Sequence, residues 1–514
     1  MAEKLNRDFL TSGRLGNGIE ASAPAQLPVK VLQFGEGNFL RAFVDFMIDE
    51  LNEKGLFAGK VAVVQPIAQG MADMINAQDG LYTVVLRGYE NKREVIRKRV
   101  VSCIDTCINP YTDFDSYIAA ATNPDLRFVV SNTTEAGIAY KEGETLDDKP
   151  QASFPGKVCA LLYRRFRHFG GDTAKGLVFI PCELIDNNGV MLKKTVLRYA
   201  AEWKLERAFV DWIENANHFT NTLVDRIVTG YPRDEINELW ADLGYEDNLL
   251  VTAEIFHFFA IEAPKASMDA ISEELPFHKA GLNVIWTADA TPYKQRKVRI
   301  LNGAHTMSVL AAYLAGKDTV GEMMGDDVFT QYLRQGIFDE IIPTLDLERD
   351  DLTSFAEAVF DRFANPYIRH YLLSIALNSV SKYKVRVLPS ILEYHKRKGE
   401  LPKLLPLSMA ALIFFYFGKE IVDGALIGMR DDGASYKIAD DMEVLEFFRD
   451  ACAECKTRED LAKKVLGKVE FWGEDLNALP GFHTAVSRCL EGIDKNGVKA
   501  TMAELCGLAS VKGN

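Results

Sequence analysis

The sequence predicts an α/β protein in which an N-terminal doubly wound sheet is followed by a mainly α-helical C-terminal domain. Through the first half of the chain, short apolar runs alternate with segments that have helical spacing. Strand, crossover helix and strand repeated in this way indicate a largely parallel sheet with helices on its faces. After about residue 290 the strand pattern fades and helical spacing dominates. The 514 residues also exceed the ~100–200 of an ordinary domain, so more than one domain is expected.

The predicted strands are short apolar runs at residues 29–34, 61–64, 126–130 and 177–180. Helical spacing over residues 38–54 follows the first strand directly. In the second half, helices are predicted at residues 297–315, 353–363, 367–380, 406–417, 441–452 and 458–465. The acidic stretch at 428–441 is typical of a solvated loop. We therefore expect a first domain at residues 1–287 and a second domain at residues 288–514.

Composition excludes several classes of partner. The net charge of −14 argues against nucleic acid and against an anionic membrane surface. The longest apolar run, residues 407–417, is shorter than the ~20 residues of a membrane-spanning helix, and no signal peptide is expected. Eight scattered cysteines and isolated histidines predict a reducing cytoplasm and no metal site. We expect a cytoplasmic protein that acts on a small molecule, and protein partners are left open.

A glycine-rich turn follows the first predicted strand and opens the first predicted helix. Gly35 and Gly37 allow a tight turn and the close approach of a pyrophosphate, which a helix N-terminus favours. The alternative is a simple strand–helix turn. At the end of the second strand, Gln65 stands where an acid would select NAD and an arginine NADP, so that choice stays open. The polar residues 131–135 and 181–183 end two further strands, where ligands bind in such sheets.

The segment 297–305 combines an amine, an amide and an imidazole. In an α-helix, Asn302 would lie 140° and His305 80° around the axis from Lys297, so all three would share one face. An amine can act as a general base, an amide can stabilise an alkoxide, and an imidazole can orient a hydroxyl. Lys297 must lose its proton near neutrality, which burial or the cations at positions 294, 296 and 299 would favour. The alternative is a set of surface residues.

Five motifs in order resemble the polyol-specific long-chain dehydrogenase family, whose best-known member is mannitol dehydrogenase. They are GEGNFLRAF at 35–43, SNTTEAG at 131–137, NTLVDRI at 221–227, KVRILNGAH at 297–305, and NPYIRH with SVSK between 365 and 382. The resemblance covers nearly the whole chain. Within the family the chain looks most like the branch that interconverts altronate and tagaturonate. The resemblance implies a Rossmann-like first domain that binds NAD (NADH) and an oxidoreductase acting on a uronate or aldonate.

The resemblance also implies roles for single residues. Lys297 would be the catalytic general base, Asn302 an oxyanion donor, and His305 a ligand of a substrate hydroxyl. Lys382 would contact substrate. The residues expected to bind cofactor are Phe34, Gly35, Gly37, Asn38, Phe39, Asn132 and Asp225.

The chain departs from the family pattern at the substrate end. The second oxyanion amide of the family falls at Leu184, so Asn187 or Asn188 could replace it. Lys384 and Arg386, with Lys382, are candidate partners of a substrate carboxylate. Fructuronate reduction and neutral polyol oxidation are alternatives within the family. A nucleotide-binding regulatory protein without turnover is the alternative from another class.

Overall fold

The computed structural model describes residues 3–22, 26–134 and 136–508 and divides into two compact units. The first unit contains Met1–Gly88 and Glu94–Ala290, and the second contains Tyr89–Arg93 and Thr291–Asn514. The α/β fold class expected from the sequence is confirmed, because a parallel sheet dominates the first unit and helices dominate the second.

A six-stranded parallel sheet forms the centre of the first unit. Its strands in chain order are β1 Val29–Phe34, β2 Lys60–Val64, β3 Ile104–Ile108, β4 Phe128–Ser131, β5 Val178–Pro181 and β6 His218–Phe219. Their spatial order is β3-β2-β1-β4-β5-β6, and every neighbouring pair is parallel. This is the strand order of dinucleotide-binding sheets, in which the chain reverses direction across the sheet between β1 and β4. The crevice at that reversal is the place where such sheets bind a ligand.

The apolar strands of this sheet are buried on both faces. Residues such as Val31 and Val63 point into a core with the helices after β1, whereas Leu32 and Val64 point into a second core on the opposite face. Burial on both sides requires continuous apolar runs instead of alternation, and this requirement explains why β1, β2, β4 and β5 were visible in the sequence. The helices of the first unit are Arg7–Thr11, Asn38–Leu40, Arg41–Asp45, Phe46–Glu53, Ala72–Ala77, Phe114–Ala119, Ala120–Thr122, Phe154–His168, Thr173–Lys175, Asn188–Glu202, Arg207–Ala216, Ile236–Leu243, Lys265–Glu274 and Phe277–Ala280.

Three smaller sheets complete the first unit. A five-stranded sheet is built from Ile19–Ala21, Tyr82–Glu90, Arg93–Val101, Val228–Gly230 and Val251–Glu254. A three-stranded sheet contains Asn221–Asp225, Phe258–Glu262 and Val284–Thr287, and a parallel pair contains Glu3–Lys4 and Tyr245–Glu246. The alternating pattern of the sequence did not reveal these strands, because most of them are short or carry charged residues.

The second unit is built mainly from helices. They are Thr291–Arg296, Lys297–Asn302, Gly303–Leu314, Val320–Met324, Asp327–Gln335, Gly336–Ile341, Ile342–Thr344, Arg349–Phe363, Leu372–Ile375, Ser379–Arg386, Leu388–Lys398, Leu405–Phe415, Met442–Glu454, Arg458–Leu466, Val469–Trp472, Leu476–Ala478, Phe482–Asn496 and Val498–Leu505. The helices Gly303–Leu314 and Leu405–Phe415 pack together and are almost wholly buried, so they form the centre of the unit.

The acidic stretch at 428–441 is not wholly a loop, and that prediction was wrong in part. Strands Ala425–Met429 and Ser435–Ile438 pair antiparallel, and Ile421–Val422 adds a third strand. Only residues between the two longer strands form the expected turn, with Gly433 at φ 83°. The sequence pattern did not predict these strands, because buried side chains such as Tyr436 and Ile438 alternate with exposed polar ones over only a few residues. In the part of the chain described, none of the helices has the length and apolar character needed to cross a membrane.

Candidate active site

The turn after β1 requires glycine at its first position. Gly35 has φ 117°, a backbone conformation that L-residues with a side chain rarely adopt. A Cβ on Gly35 would also lie 2.9 Å from the carbonyl oxygen of Asn132, at the end of β4. The glycine therefore lets β1 and β4 approach each other at the point where the sheet reverses.

Gly37 has a different role, because its backbone is extended and nothing within 4 Å would meet a Cβ there. It is the N-cap of the helical run that starts at Asn38 and continues to Glu53. The first N–H groups of this run lack partners within the helix and carry the positive end of its dipole. The open space in front of them fits an anionic group such as a pyrophosphate.

Buried polar side chains hold this turn in shape. Arg41, only 2% exposed, donates from Nε to the Glu36 carbonyl at 3.2 Å and from Nη2 to Asn38 Oδ1 at 2.6 Å. It also donates to the carbonyl of Leu249, and burial lowers the pKa of its guanidinium. Gln33 donates to the Gly35 carbonyl at 3.1 Å. Buried side chains thus bind the carbonyls of Gly35 and Glu36, and the Gly35 N–H donates to the Val64 carbonyl at 3.1 Å.

A carboxylate organises the ends of β4 and β5. Glu183 accepts from Ser131 Oγ at 3.0 Å, from the Thr133 N–H at 3.0 Å and from Thr133 Oγ1 at 2.9 Å. Burial raises the pKa of Glu183, although these hydrogen bonds oppose the rise. Asn132, between the two donors, gives its amide to the Cys182 carbonyl at 2.9 Å. The predicted ligand-binding loop is therefore tied to β5, while Glu135 lies outside the described residues.

Asn188 does not provide the missing oxyanion donor, so that alternative was wrong. Its side chain is fully buried, and its Nδ2 donates to Pro181 O, Glu183 O and Thr222 Oγ1 at 2.9–3.1 Å. An amide with its protons used in this way cannot also stabilise an alkoxide. Leu184, at the position of the family amide, is 66% exposed. Asn187 is exposed in a left-handed conformation at the N-cap of the next helix.

The segment around Asp225 passes the glycine turn. Asp225 and Val224 are buried at the end of the strand Asn221–Asp225. The neighbouring Arg226 donates to the Ala42 carbonyl at 2.7 Å, within the helical run that follows Gly37. A Cβ on Gly230 would lie 2.7 Å from Asn38 Nδ2, so this segment also borders the turn. The first unit thus brings Gly35 to Asn132, and it brings the segment that follows Asp225 to Asn38.

Two predicted cofactor residues lie mainly in the core. Phe34 is fully buried, and its ring centroid lies 5.0 Å from that of Phe154. Phe39 is half-buried and stacks on Phe43 at 4.9 Å. Only the main chain of Phe34 and the exposed part of Phe39 are therefore available to a ligand.

Lys297 and Asn302 lie on a π-helical turn in the second unit, and the α-helical geometry expected for them was wrong. Lys297–Asn302 is wound with hydrogen bonds between residues five apart, inside the continuous run from Thr291 to Leu314. Residues 297 and 302 are therefore about one turn apart and stand nearly above each other. His305 follows within the next turn, so the shared face is narrower than an α-helix would give. π-turns inside α-helices occur frequently at functional sites.

His305 lies in a pocket of aromatic and basic groups. Its imidazole stacks on Phe363 with 4.2 Å between centroids and meets His370 edge-on at 5.3 Å. Its Nε2 is buried, and no hydrogen-bond partner is found for it among residues 3–22, 26–134 and 136–508. Burial lowers the pKa of His305 well below 6.5, and the nearby charges of His370, Arg362, Arg386 and Lys382 lower it further. A neutral imidazole nitrogen with no protein partner is suited to a ligand hydroxyl.

The helix Ser379–Arg386 separates the three basic candidates for a substrate carboxylate. Lys382 and Arg386 both act electrostatically on His305, and they stand one turn apart on one face. Lys382 donates to the Ile375 carbonyl at 2.9 Å, and burial lowers its pKa. The carbonyl of Arg386 packs on Gly303, where a Cβ would lie 3.2 Å away. Lys384 lies on the opposite face, beside Gly473.

The three cations close to Lys297 in sequence differ in their partners and exposure. Arg296 is buried and pairs with Asp351 at 2.6 Å, and its guanidinium lies 4.4 Å from the Phe355 ring centroid. Its charge is therefore compensated by Asp351. Arg299 donates to Ser390 Oγ at 3.1 Å, and burial lowers its pKa. Lys294 is exposed.

Several residues that shape the two sites were missed in the sequence. Arg41 belongs to a quoted motif but had no role assigned, and its place under the turn depends on a contact with distant Leu249. His370 also belongs to a quoted motif, at the end of NPYIRH, but had no role assigned. Phe363 and Arg362 had no signal, because only the folded chain brings them to His305.

Family models match most of the chain. Residues 29–273 match the mannitol dehydrogenase Rossmann domain, and residues 289–494 match the mannitol dehydrogenase C-terminal domain. The first match spans β1 and the glycine turn, and the second spans the segment that carries Lys297 and His305.

Known proteins agree with these matches. Altronate oxidoreductases of Escherichia coli O139:H28 and O6:K15:H31 are 46% identical over 487 residues, which is 94% of this chain and 98% of each relative. A D-sorbitol dehydrogenase has the same fold with a TM-score of 0.79 and 21% identity, covering 97% of this chain and all of that one. Pseudomonas fluorescens mannitol 2-dehydrogenase, solved with NAD and D-mannitol, gives a TM-score of 0.66 at 24% identity, covering 98% and 99% of the two chains. The chain therefore belongs to the mannitol dehydrogenase family.

Proposed function

We propose that the protein is an NAD-dependent oxidoreductase that interconverts D-altronate and D-tagaturonate in the breakdown of hexuronates. The 46% identity to altronate oxidoreductases over nearly the whole chain supports this substrate. The observation that carries the proposal is the pocket of His305, where the charges of Lys382 and Arg386 act on a buried imidazole in a protein of net charge −14. An acidic protein that keeps these cations around one half-buried site is suited to an anionic substrate.

We assign cofactor binding to the first domain, residues 1–287, and substrate binding to the second, residues 288–514. The glycine turn fits a dinucleotide, because Gly35 permits the turn and Gly37 leaves open space before the helix N-terminus. Phe34, Gly35, Gly37, Asn38, Phe39, Asn132 and Asp225 are the residues that would hold NAD. When bound, NAD supplies the hydride acceptor and NADH the hydride donor.

The residues of the second unit provide the proton chemistry. In oxidation, Lys297 takes the proton of the reacting hydroxyl, and in reduction it returns that proton. Asn302, one π-turn away, stabilises the developing alkoxide with its amide. His305 holds a neighbouring hydroxyl through its buried Nε2. Because its pKa is far below 6.5, the imidazole stays neutral and does not compete for the substrate carboxylate.

Lys382 and Arg386 bind the carboxylate in this proposal. They share a face with access to the His305 pocket, whereas Lys384 does not. A charged hydrogen bond to a carboxylate is stronger than a neutral one, so this contact separates acids from neutral sugars. We also place the protein in the cytoplasm, where a dehydrogenase of this kind finds its reduced cofactor.

A substrate panel tests the proposal. Turnover of NADH is measured with tagaturonate, fructuronate and fructose, and binding of NADH is measured separately by its fluorescence. We expect kcat/KM for tagaturonate to exceed that for each other substrate by at least about tenfold. A higher kcat/KM for fructuronate or fructose would contradict the proposal and would identify that compound as the substrate. NADH binding without turnover of any substrate would favour a regulatory protein.

A further inference from the structure

The residue at the end of β2 cannot read the adenosine ribose. Gln65 is buried, and its Nε2 donates to the carbonyls of Ile67 at 2.8 Å and Ala68 at 3.0 Å. Its Oε1 accepts from the Ala72 N–H at 3.1 Å. Both the amide nitrogen and the amide oxygen of Gln65 are therefore hydrogen-bonded to the main chain of the loop after β2. An acid usually accepts the ribose hydroxyls from this position in NAD-binding sheets, so that function needs another group.

Glu36 brings a carboxylate to the same place from the neighbouring strand. It lies between the two glycines of the turn, and β1 and β2 are adjacent in register, with Phe34 opposite Val64. The space that a Cβ on Gly70 would occupy lies against both Glu36 Oε1 and the Gln65 amide, so these two side chains are neighbours. The Glu36 carboxylate is therefore at the end of β2, although its main chain follows β1.

The charge of Arg41 stabilises the Glu36 carboxylate, but the hydrogen-bond donors of Arg41 do not bind it. The donors of Arg41 go to the main-chain carbonyls of Glu36 and Leu249 and to Asn38 Oδ1, not to the Glu36 carboxylate. Burial raises the pKa of the Glu36 carboxyl, and the N–H groups of Glu36 itself and of Met71 oppose the rise. The carboxyl lies beside the exposed residues 67–70, close to a helix N-terminus that favours an anion.

We propose that Glu36 accepts the hydroxyls of the adenosine ribose and makes the protein selective for NAD over NADP. A 2′-phosphate would bring negative charge against the Glu36 carboxylate, which costs binding energy, and it would remove the hydroxyl that donates. A residue of the glycine turn thus selects the coenzyme, a role that usually belongs to a residue at the end of the second strand. This inference rests on the proposed dinucleotide site.

The test is a fluorescence titration of NADH and NADPH with the whole protein and the variant Glu36→Gln. We expect the unchanged protein to bind NADH at least about tenfold more tightly than NADPH. In Glu36→Gln this ratio should fall about tenfold, because NADH loses a charged acceptor and NADPH loses a repulsion. The control Asp73→Asn removes an exposed charge from the next helix and should leave the ratio unchanged.

The outcomes separate the possible failures. Equal weakening of both nucleotides in Glu36→Gln would assign Glu36 only to closing the loop at Met71, and the proposal would be wrong. If that variant does not fold, 2′-deoxy-NADH is titrated against the unchanged protein, and binding as tight as that of NADH would overturn the role of Glu36. If the unchanged protein binds neither NADH nor NADPH, the dinucleotide site itself fails, independently of Glu36.

Discussion

The imidazole of His305 stacks on the ring of Phe363, with 4.2 Å between centroids and 15° between planes. The stack fixes the ring orientation and removes one face of the imidazole from solvent. His370 lies edge-on to the same ring at 5.3 Å. Burial keeps the His305 imidazole neutral, and the basic groups nearby lower its pKa further. Phe363 therefore helps to define the protonation state of a residue that we expect to bind substrate.

Protonation of His305 links the pocket to the stability of the second unit. The pKa of His305 is far below 6.5 in the folded state and about 6.5 in an unfolded chain. Below pH ~6.5 the unfolded state binds a proton that the folded state does not, so the free energy of unfolding falls as the pH falls. This contribution reaches about 1.4 kcal/mol per pH unit. Replacing His305→Gln should remove it.

Urea unfolding between about pH 5 and pH 8 measures this effect. We expect a smaller loss of stability on acidification in His305→Gln than in the unchanged protein. The matched variant His278→Gln changes an exposed histidine and should retain the full slope. Identical slopes for the unchanged protein and His305→Gln would show that the pKa of His305 is the same in the folded and unfolded states.

Lys297 is expected to carry the proton transfer. Lys297→Ala should lower kcat for tagaturonate reduction by ~10²–10⁴-fold, the usual cost of removing a general acid or base. The affinity for NADH, measured by fluorescence, should not change, because none of the residues assigned to NAD binding is altered. An unaltered kcat would remove Lys297 from the mechanism.

A charge-preserving variant separates proton transfer from electrostatic binding at the same position. Arginine keeps the cation but holds its proton throughout the accessible pH range. Lys297→Arg should therefore be as inactive as Lys297→Ala. Recovery of activity in Lys297→Arg would indicate that the position supplies only charge.

The two lysines at 382 and 384 form a matched pair for carboxylate recognition. Lys382→Met should raise KM for tagaturonate at least about tenfold, because a charged hydrogen bond to the carboxylate is lost. Lys384→Met removes the same charge from the opposite face, beside Gly473, and should leave KM unchanged. The rate with fructose, which has no carboxylate, should be equal in both variants. Equal losses on tagaturonate and fructose in Lys382→Met would contradict a role in reading the carboxylate.

The sequence predicted the strands that are buried on both faces and missed those at edges. The runs at 29–34, 61–64, 126–130 and 177–180 coincide closely with β1, β2, β4 and β5. The edge strand β3 was not predicted, because Asp105 and Thr106, which are not buried, interrupt its apolar pattern. The strand pairs of the five-stranded sheet escaped for a related reason, since charged side chains such as Arg97 and Arg99 lie within them. Burial determines the apolar run, so partial burial leaves a weak signal.

The candidate site was predictable to the extent that its residues are close in sequence. Lys297, Asn302 and His305 share one segment, and their types alone indicate proton transfer. The π-turn that aligns Lys297 with Asn302 was not predictable from the sequence. Hydrogen bonds between residues i and i+5 are determined by packing and not by residue preference. The stack of His305 on Phe363 depends on a helix from another part of the chain. Such contacts have no local pattern that periodicity could reveal.

The two glycines of the turn should respond differently to alanine. At Gly35, φ 117° and the carbonyl of Asn132 at 2.9 Å make any Cβ unfavourable, so Gly35→Ala should destabilise the first unit by more than ~1 kcal/mol. At Gly37 nothing lies within 4 Å of the added Cβ, and the backbone is already extended. Gly37→Ala should therefore fold and lose less stability than Gly35→Ala, because its cost is limited to the poorer N-cap that alanine makes.

Ligand binding distinguishes the two positions further. The methyl group of Gly37→Ala would occupy the open space in front of the helix N-terminus, where we expect the pyrophosphate. NADH should therefore bind at least about tenfold more weakly to a protein that is fully folded. Thermal unfolding and NADH fluorescence on the same samples check both statements. Normal NADH affinity in Gly37→Ala would place the pyrophosphate elsewhere, because no bound dinucleotide could then approach this turn closely.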